Sequence, residues 1–427
     1  MKRPNKEKKN SYRVVVAHPY KQHSFELAEG LREQGLLYKY YTTVYYRKNN
    51  LTGFVACLLK GQSKKKAMGR SDNRIDKYVH QINEIDGLVN LFIMRIPFFK
   101  GSFEKIKCRF CDRFAKKVAR KCVKEAVDAV VVYDDTSPII AEYIKKKSPA
   151  TTIILDMSAP ALPFLNIIYK EDMIISPDYA DMLFNERRNA LDEVLLKRSE
   201  REILGADYYI VASEFSRKSL QRCGVEDSKI YSVRYGVQND CFVPGINRAG
   251  DVLHCVFTGG TKQFKGLSYL LDAFSKMEEL PVDLTIIGEN KLSEFEMSKY
   301  KNVVFTGVVM PEEVSLILQK SDFMVFPSLG DGFGLSVTEA LASGCPVICS
   351  DSTGASDIIE DYWNGFIIPT HNSEMIIRYV KYFIDNREKL KEMQKNARTS
   401  VKTLSWDKYY YNIGTTVRDI LMINNNL

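Results

Sequence analysis

The sequence is short of the features that mark membrane-spanning, exported and repetitive proteins. No apolar run reaches the roughly 18 residues that a membrane-spanning helix needs, and the nearest, Leu88–Phe99, is interrupted by Asn90, Arg95 and Pro97. The opening segment Met1–Lys9 is basic and polar and does not have the apolar core of an export signal. No repeat of 20–50 residues is visible. These absences predict a cytoplasmic protein, in contact with a membrane at most from its inner face.

The cysteines are few and odd in number, which does not predict a disulfide framework. There are nine, an odd number, and several stand in apolar surroundings, such as Cys255 and Cys345. They predict free thiols in a reducing compartment. Cys108 and Cys111 form a single CxxC with no partner pair. Two interpretations of this motif stay open: a zinc or redox site, or one helix that carries two small side chains.

Acidic residues are scarce in the first part of the chain. Residues 1–125 carry 29 lysines and arginines against 11 acidic residues, a balance of +18, whereas the 427 residues together have a net charge of +8. Such an asymmetry attracts anionic partners to one half of a molecule. No nucleic-acid recognition motif accompanies the charge, so no nucleic-acid partner is predicted. An anionic membrane face and an acceptor that carries phosphate fit the charge equally well.

The chain is long enough for two domains, and its pattern is that of an α/β protein. Short apolar runs alternate with helical patterns in both halves, which predicts parallel sheets. A cluster of loop-forming residues at 235–250 predicts the boundary. We predict two facing Rossmann-like domains with a cleft between them, residues 1–237 and 238–404, with residues 405–427 packing back on the first. The predicted strands are Arg13–Ala17, Leu37–Thr43, Ala129–Tyr133, Thr151–Leu155, Tyr208–Val211, Leu253–Thr258, Val282–Ile287, Val303–Phe305, Phe323–Phe326 and Val347–Cys349.

One segment of the second half combines alternate glycines with two acidic residues. After the strand Phe323–Phe326, a loop with Gly330, Gly332 and Gly334 leads into a helix predicted to start near Ser336. Glycines let backbone amides approach a ligand, and a helix start attracts phosphate. Asp331 and Glu339 are eight positions apart, on the loop and in the helix. Alternatives stay open: Asp331 as a turn residue, and Glu339 as the partner of Ser336 in a capping box.

A second segment joins a glycine turn to two lysines. Gly259 and Gly260 follow the strand Leu253–Thr258, and Lys262 and Lys265 precede an amphipathic helix predicted for 266–277. Cations beside a helix start are unfavourable unless an anion joins them, and a diphosphate would be such an anion. The alternative is two solvated lysines on a surface loop.

The order of these segments resembles the carboxyl-terminal domain of family 4 glycosyltransferases, which have the GT-B fold and retain the anomeric configuration. Gly259-Gly260, Lys265-Gly266, Phe305-Thr306-Gly307, Asp331-Gly332-Phe333-Gly334 and Glu339 stand where that family has its donor-binding pattern. The resemblance is close over about residues 205–410. Before residue 205 it is limited to the alternation of predicted strands and helices. It implies a nucleotide-sugar donor.

The resemblance also implies roles for individual residues. Lys265 would neutralise the diphosphate, Glu339 would bind the ribose, and Asp331 would hold the transferred sugar; these three are the implied catalytic residues. The implied donor-binding set is Gly259, Gly260, Lys262, Lys265, Val308, Val309, Gly332, Phe333, Gly334, Leu335, Ser336 and Glu339. The chain departs from the family in having Gly260 where an arginine is usual and Asp331 where a glutamate is usual. Lys262 is the expected replacement for that arginine.

The expected activity is the transfer of a sugar, hexose or related, from a UDP- or GDP-sugar to a glycan or glycolipid hydroxyl. No Asp-x-Asp motif stands in a suitable loop, so no metal and no other cofactor are expected. Two alternatives remain: a nucleotide-sugar epimerase, and a non-catalytic binding subunit. On the acceptor side the candidates are His18, His23 and Asp156. The basic helix predicted for Phe103–Glu125 either lies on an anionic membrane with its apolar stripe or packs that stripe on its own domain.

Overall fold

The computed structural model describes residues 12–21, 23–94, 96, 103–237, 240–245 and 250–426. Two parallel sheets organise the chain. The first has seven strands in the order β3-β2-β1-β4-β5-β6-β7, and the second has six in the order β10-β9-β8-β11-β12-β13. The strands are β1 (Val14–Ala17), β2 (Leu37–Thr42), β3 (Val79–Gln81), β4 (Ala129–Val132), β5 (Thr152–Met157), β6 (Tyr208–Val211), β7 (Ile230–Ser232), β8 (Leu253–Thr258), β9 (Val282–Ile287), β10 (Val303–Gly307), β11 (Phe323–Phe326), β12 (Val347–Ser350) and β13 (Gly365–Ile368).

Helices connect consecutive strands and cover the faces of both sheets. They are α1 (Ser24–Glu33), α2 (Leu51–Leu58), α3 (Gly61–Met68), α4 (Glu84–Ile93), α5 (Phe103–Lys124), α6 (Ser137–Lys147), α7 (Leu162–Ile175), α8 (Ala180–Glu186), α9 (Arg188–Leu191), α10 (Glu193–Gly205), α11 (Glu214–Arg222), α12 (Leu267–Ser275), α13 (Glu294–Met297), α14 (Pro311–Lys320), α15 (Leu335–Ala342), α16 (Ser373–Asp385), α17 (Arg387–Ser400) and α18 (Trp406–Asn426). Among the described residues, no helix combines the length and the apolar character that crossing a bilayer requires.

The central strands are buried because their sequences are apolar on both faces. Every residue of β1, β4 and β11 is buried, and each of these strands consists almost wholly of valine, alanine, phenylalanine or methionine. Such uninterrupted runs are typical of parallel strands that are covered by helices on both sides. The prediction of two parallel α/β units is therefore confirmed. The strands β3, β7 and β13 were not predicted; β3 and β7 are only three residues long.

The helix α5 packs its apolar stripe inside the first domain. Phe110, Phe114, Val118 and Cys122 are all buried, together with residues of the first sheet such as Val130. This stripe is consequently not available to a membrane, and the interpretation of α5 as a membrane-lying helix is wrong. Hydrophobic periodicity marks the buried face of a helix but does not tell whether protein or lipid covers it.

The last helix, α18, lies against the first helix of the chain. Tyr410 and Ile413 pack where Gly30 of α1 leaves room, and Ile413, Val417 and Ile420 belong to the apolar core of the first sheet. The amide of Val237 also donates to the carbonyl of Leu404 at 3.1 Å. The end of the chain thus stabilises the amino-terminal domain.

The segment 162–191, between β5 and α10, reaches in the opposite direction. Leu165, Tyr169 and Leu183 are buried in the same apolar cluster as Leu267 and Leu270 of α12, in the second domain. The buried carboxylate of Asp172 accepts hydrogen bonds from Gln263 at 2.9 Å and Tyr269 at 2.7 Å. This helical segment was not predicted, and it joins the two domains beside the turn that carries Lys265.

Candidate functional site

The topology brings the two glycine-rich segments to one crevice. In the second sheet the strand order reverses between β8 and β11, and these two strands pair directly, with Phe323 opposite Cys255. Loops that leave the carboxyl ends of strands at such a switch point diverge and form a ligand-binding crevice. The loop after β8 carries Lys265, and the loop after β11 carries Asp331 and leads into α15.

Lys265 is held by a short turn that ties the two loops together. It is the last residue of the 3-10 turn Gln263–Lys265, just before α12. The carbonyl of Phe264 in this turn accepts a hydrogen bond from the amide of Leu329 at 3.0 Å. The Lys265 ammonium makes an ion pair with Asp331. The two side chains that the sequence predicts to hold a ligand therefore contact each other.

Asp331 is fully engaged by its neighbours. One carboxylate oxygen accepts from the amides of Phe333 at 3.1 Å and Gly334 at 2.7 Å, and the other pairs with Lys265. Burial acts to raise the pKa of Asp331, but the charge of Lys265 and the amide hydrogen bonds outweigh it and hold the pKa below its usual value. The two amide hydrogen bonds agree with the interpretation of Asp331 as a turn residue, whereas the ion pair with Lys265 is a further contact.

Glu339 is the opposite case, a carboxylate that no neighbour engages. It lies on the second turn of α15, and within the described residues no hydrogen bond or ion pair reaches its side chain. Burial raises its pKa to about 7. The capping-box interpretation is wrong, because α15 begins at Leu335 with Gly334 as its cap rather than at Ser336. Gly334 takes a left-handed φ of 77°, which starts the helix earlier than the Ser-x-x-Glu pattern predicts.

The start of α15 leaves two backbone donors free. The amides of Val337 and Thr338 donate to the carbonyl of Gly334, at 2.9 and 3.2 Å. The amides of Leu335 and Ser336 have no partner among the described residues. Free amides at the positive end of a helix stabilise an anion that binds there. This end opens from the same loop that holds Asp331.

Two of the three alternate glycines allow close packing between the domains. A Cβ at Gly332 would stand 2.1 Å from the carbonyl oxygen of Ser158, and one at Gly330 would stand 2.4 Å from Leu165. The carbonyl of Gly332 also accepts a hydrogen bond from the hydroxyl of Ser213 at 2.6 Å. The Gly334 amide is engaged by Asp331, whereas the amides of Gly330 and Gly332 have no partner among the described residues. That these two amides approach a ligand stays a prediction.

The turn after β8 is equally tight. The amides of Gly259 and Gly260 both donate to the carbonyl of Ile287, at 3.0 and 2.9 Å. Gly260 has a left-handed φ of 72°, and a Cβ there would lie 2.3 Å from the carbonyl oxygen of Glu289, so this backbone does not admit an arginine. Lys262 points to Glu289, with 3.7 Å between the charged atoms. Among the other predicted positions, Val308 is exposed and Val309 half-buried beyond β10.

Across the crevice, the structure joins two of the three residues predicted for the acceptor side. The ring nitrogen Nε2 of His23 lies 2.8 Å from a carboxylate oxygen of Asp156. The His23 ring packs on Tyr235 at 4.8 Å between centroids, and Tyr235 packs on Phe333 at 5.2 Å. His18, by contrast, is buried against Tyr133, and its Nδ1 accepts a hydrogen bond from the amide of Tyr20 at 3.0 Å. His23 and Asp156 thus connect to the loop of Asp331 through two aromatic rings.

Sequence reasoning did not find Arg187 and Tyr169, which the segment 162–191 brings to the same place. The guanidinium of Arg187 stacks on the ring of Phe264, with 3.5 Å from its central carbon to the ring centroid. The hydroxyl of Tyr169 would lie 3.4 Å from a Cβ at Gly330. The segment has no local motif that could have indicated this position, because the contacts span more than 75 residues of chain.

Comparison with known proteins identifies relatives of the second domain. Residues 247–400 match the family model described as "Glycosyl transferases group 1". The O-antigen chain mannosyltransferase C of Escherichia coli is 31% identical over 151 residues, which are 34% of this chain and 40% of that protein. The match spans less than half the length of this relative and of other curated relatives.

Solved structures match over nearly the whole chain. The sucrose-phosphate synthase of Thermosynechococcus elongatus has a TM-score of 0.65 at 16% identity and covers 96% of this chain and 100% of its own. An Anabaena protein, HepE, in complex with UDP-glucose has a TM-score of 0.57 at 14% identity, over 95% of this chain and 99% of its own. At these identities the likeness establishes the fold, two facing Rossmann-like domains of the GT-B type.

Proposed function

Because residues 247–400 belong to the group 1 glycosyl transferases and the whole chain has the GT-B fold, we propose that this protein moves a sugar from a nucleoside-diphosphate sugar to a hydroxyl of a glycan or glycolipid. The observation that carries the proposal is the meeting of Lys265, Asp331 and the start of α15 at one switch point. Within the part of the chain that the structure describes, Glu339 on the same helix has no partner. A basic group and free amides suit a diphosphate, and an unpartnered carboxylate suits the hydroxyls of a ribose.

In the proposed donor complex, Lys265 exchanges partners. Its ammonium turns from Asp331 to the diphosphate, and the carboxylate that it releases accepts hydrogen bonds from hydroxyls of the transferred sugar. The amides of Leu335 and Ser336 face the same diphosphate. Groups fixed in this way stabilise the charge that grows on the leaving diphosphate, and they cost little reorganisation when the bond breaks.

The proposed reaction retains the anomeric configuration and uses no metal. The bond from the anomeric carbon to the diphosphate oxygen breaks, and the acceptor oxygen bonds to the same face of that carbon. The acceptor proton passes to the leaving diphosphate. The His23–Asp156 pair, 2.8 Å apart, orients the sugar or the acceptor from the other side of the cleft. An inverted anomer in the product, seen by NMR, would contradict retention, and loss of transfer in EDTA would contradict metal-independence.

The proposed place of action is the surface of an anionic membrane, which the chain contacts through α2 and α4. These helices adjoin each other and expose Phe54, Leu58, Ile85, Val89 and Phe92, which we call the apolar face. Phe54 is 64% and Phe92 66% exposed. The adjoining α3 presents the exposed lysines Lys64, Lys65 and Lys66. Apolar side chains beside a basic cluster favour an anionic lipid surface.

The apolar face adjoins the loop that carries His23. Asn90 of α4 donates to the hydroxyl of Tyr20 at 3.1 Å, and Tyr20 lies three residues before His23. A membrane under α2 and α4 would therefore present a lipid-linked acceptor close to the proposed site. We expect Phe54→Ser with Phe92→Ser to weaken binding to anionic vesicles about tenfold or more. Phe295→Ser, a change at an exposed phenylalanine of the other domain, should leave this binding intact. Equal binding to neutral vesicles would contradict the proposal.

The decisive experiment offers the protein a panel of UDP- and GDP-sugars and measures nucleotide release with and without candidate acceptors. Acceptor-dependent release supports a transferase. Conversion of the sugar with donor alone would favour the epimerase alternative. Nucleotide binding without turnover of any donor would favour a non-catalytic binding subunit.

A further inference from the structure

The edge of the second domain offers few free positive charges for the diphosphate that it is proposed to bind. Of the two lysines near β8, Lys265 is paired with Asp331 and Lys262 points to Glu289. A nucleoside diphosphate carries at least two negative charges, and more charge gathers on it as the sugar leaves. The site is therefore short of positive charge unless another part of the chain contributes some.

Arg187 is a cation without an anionic partner at this position. It stands at the break between α8 and α9, and within the described residues its guanidinium makes no hydrogen bond or ion pair. Its Nε is buried. Both flanking residues are engaged: Glu186 pairs with Lys291 at 3.0 Å, and Arg188 lies 3.8 Å from Asp192. A buried N–H without an acceptor is costly, which indicates that a ligand supplies one.

The guanidinium contacts the same aromatic ring as the Lys265 ammonium. It stacks on the Phe264 ring at 3.5 Å, and the Lys265 ammonium lies 5.2 Å from the centroid of the same ring. Glu186 secures the end of α8, because its carboxylate accepts a hydrogen bond from the amide of Phe264 at 3.3 Å. The arginine is thus positioned by the turn that also positions the lysine.

A second buried polar group without a hydrogen-bond partner among the described residues lies beside the loop of Asp331. Tyr169 is fully buried, and its hydroxyl has no hydrogen-bond partner in the described chain. It stands next to Gly330, the residue before Asp331. Arg187 and Asp331 act on the pKa of this tyrosine in opposite directions, within a larger rise caused by burial. Two unsatisfied donors, Arg187 and Tyr169, therefore border the Lys265–Asp331 pair from the amino-terminal side.

We propose that Arg187 binds the diphosphate of the donor, so that the phosphate site is completed by a residue of the amino-terminal domain. This inference rests on the proposed function. A planar guanidinium donates to two phosphate oxygens at once, whereas a lysine acts as a point charge. The site would then be complete only when segment 162–191 lies on the second domain, as it does here.

The test compares Arg187→Met with Arg188→Met, its exposed neighbour, in the full-length chain. Methionine keeps much of the packing on Phe264 but removes the charge. Calorimetry measures the affinity of each protein for UDP and UMP, and for GDP and GMP. We expect Arg187→Met to weaken binding of the diphosphate about tenfold, the typical effect of one charged hydrogen bond. Binding of the monophosphate should weaken by less than about twofold. Arg188→Met should change neither, and Arg187→Lys should recover part of the loss.

The outcomes separate this inference from the proposed function. If the unaltered protein binds UDP or GDP and Arg187→Met binds it equally well, the assignment of Arg187 is wrong and the proposed function stands. Equal weakening of diphosphate and monophosphate would mean that Arg187 only supports the fold of the pocket, and would also overturn it. If the unaltered protein binds no nucleoside diphosphate, both proposals fail.

Discussion

The two sides of the cleft differ in how their polar side chains are satisfied. On the acceptor rim, defined by His23, Asp156 and Tyr235, the histidine and the carboxylate bind each other at 2.8 Å. On the donor rim, defined by Lys265, Asp331, Glu339 and the start of α15, one carboxylate is neutralised and the other has no partner among the described residues. A rim whose groups satisfy each other is preorganised, whereas one with unpartnered groups is held ready for a ligand at some cost in stability. Most of the binding free energy should therefore come from the donor rim.

The largest effect should follow from the loss of Lys265. We expect Lys265→Met to lower kcat/KM by about 10²–10³-fold, the range for removing one group that stabilises transition-state charge. Steady-state kinetics with saturating acceptor measures it. Lys276→Met is the matched control, since this lysine pairs with Asp272 and Glu374 on the surface of the same domain. A change of less than about threefold in Lys265→Met would contradict the proposed diphosphate site.

An effect of about tenfold on donor affinity should follow from Glu339→Gln, because a carboxylate is a stronger acceptor for ribose hydroxyls than an amide. The unaltered protein should prefer a ribonucleotide to its 2′-deoxy form, and the variant should lose this preference. Titration calorimetry with both nucleotides measures it. Glu312→Gln, at an exposed position of α14, is the control. Retained discrimination in Glu339→Gln would remove Glu339 from the ribose site.

The raised pKa of Glu339 gives this prediction a pH dependence with a definite sign. Its pKa is about 7 against an ordinary value of 4.5, so between these values the folded protein holds a proton that the unfolded chain has lost. Stability therefore falls as pH rises through that window. Thermal unfolding should show Glu339→Gln gaining stability over the unaltered protein from pH 5 to pH 8. Nucleotide affinity should rise more steeply over the same range in the unaltered protein than in Glu339→Gln, because the terminal phosphate of the nucleotide titrates in both cases, whereas only the carboxylate binds ribose well.

This contrast also explains what the sequence could predict. The donor rim is built from local segments at the ends of β8 and β11, so its strands could be predicted from apolar runs, and its lysine and two acids were indicated by the family resemblance of those segments. What each acid contacts in the folded protein could not be predicted. Asp331 pairs with a residue 66 positions away, and Glu339 is free of the capping box because Gly334 takes a left-handed conformation. Nor does periodicity tell what covers an apolar stripe, as α5 demonstrates.

The acceptor rim was predicted less well for the same physical reason. His23, Asp156 and Tyr235 come from three distant segments, and only the order of the strands in the first sheet brings them together. The position of Arg187 depends on the packing of segment 162–191 across the domain boundary. Contacts of this kind are tertiary, and no local pattern encodes them.

The smallest effect should come from the acceptor rim, where the histidine and the carboxylate already satisfy each other. We expect Asp156→Asn to lower kcat/KM for the acceptor about threefold, because an amide holds His23 less firmly than a carboxylate does. Nucleotide affinity should stay within about twofold, since neither residue is proposed to touch the nucleotide. His23→Asn should behave alike, and the double variant should lose little more than either single one, because residues of one hydrogen-bonded pair are not additive. If the two single losses in kcat/KM multiply in the double variant, each residue contacts substrate separately. If nucleotide affinity falls further than it does in Glu339→Gln, the rim called the acceptor rim binds the donor instead.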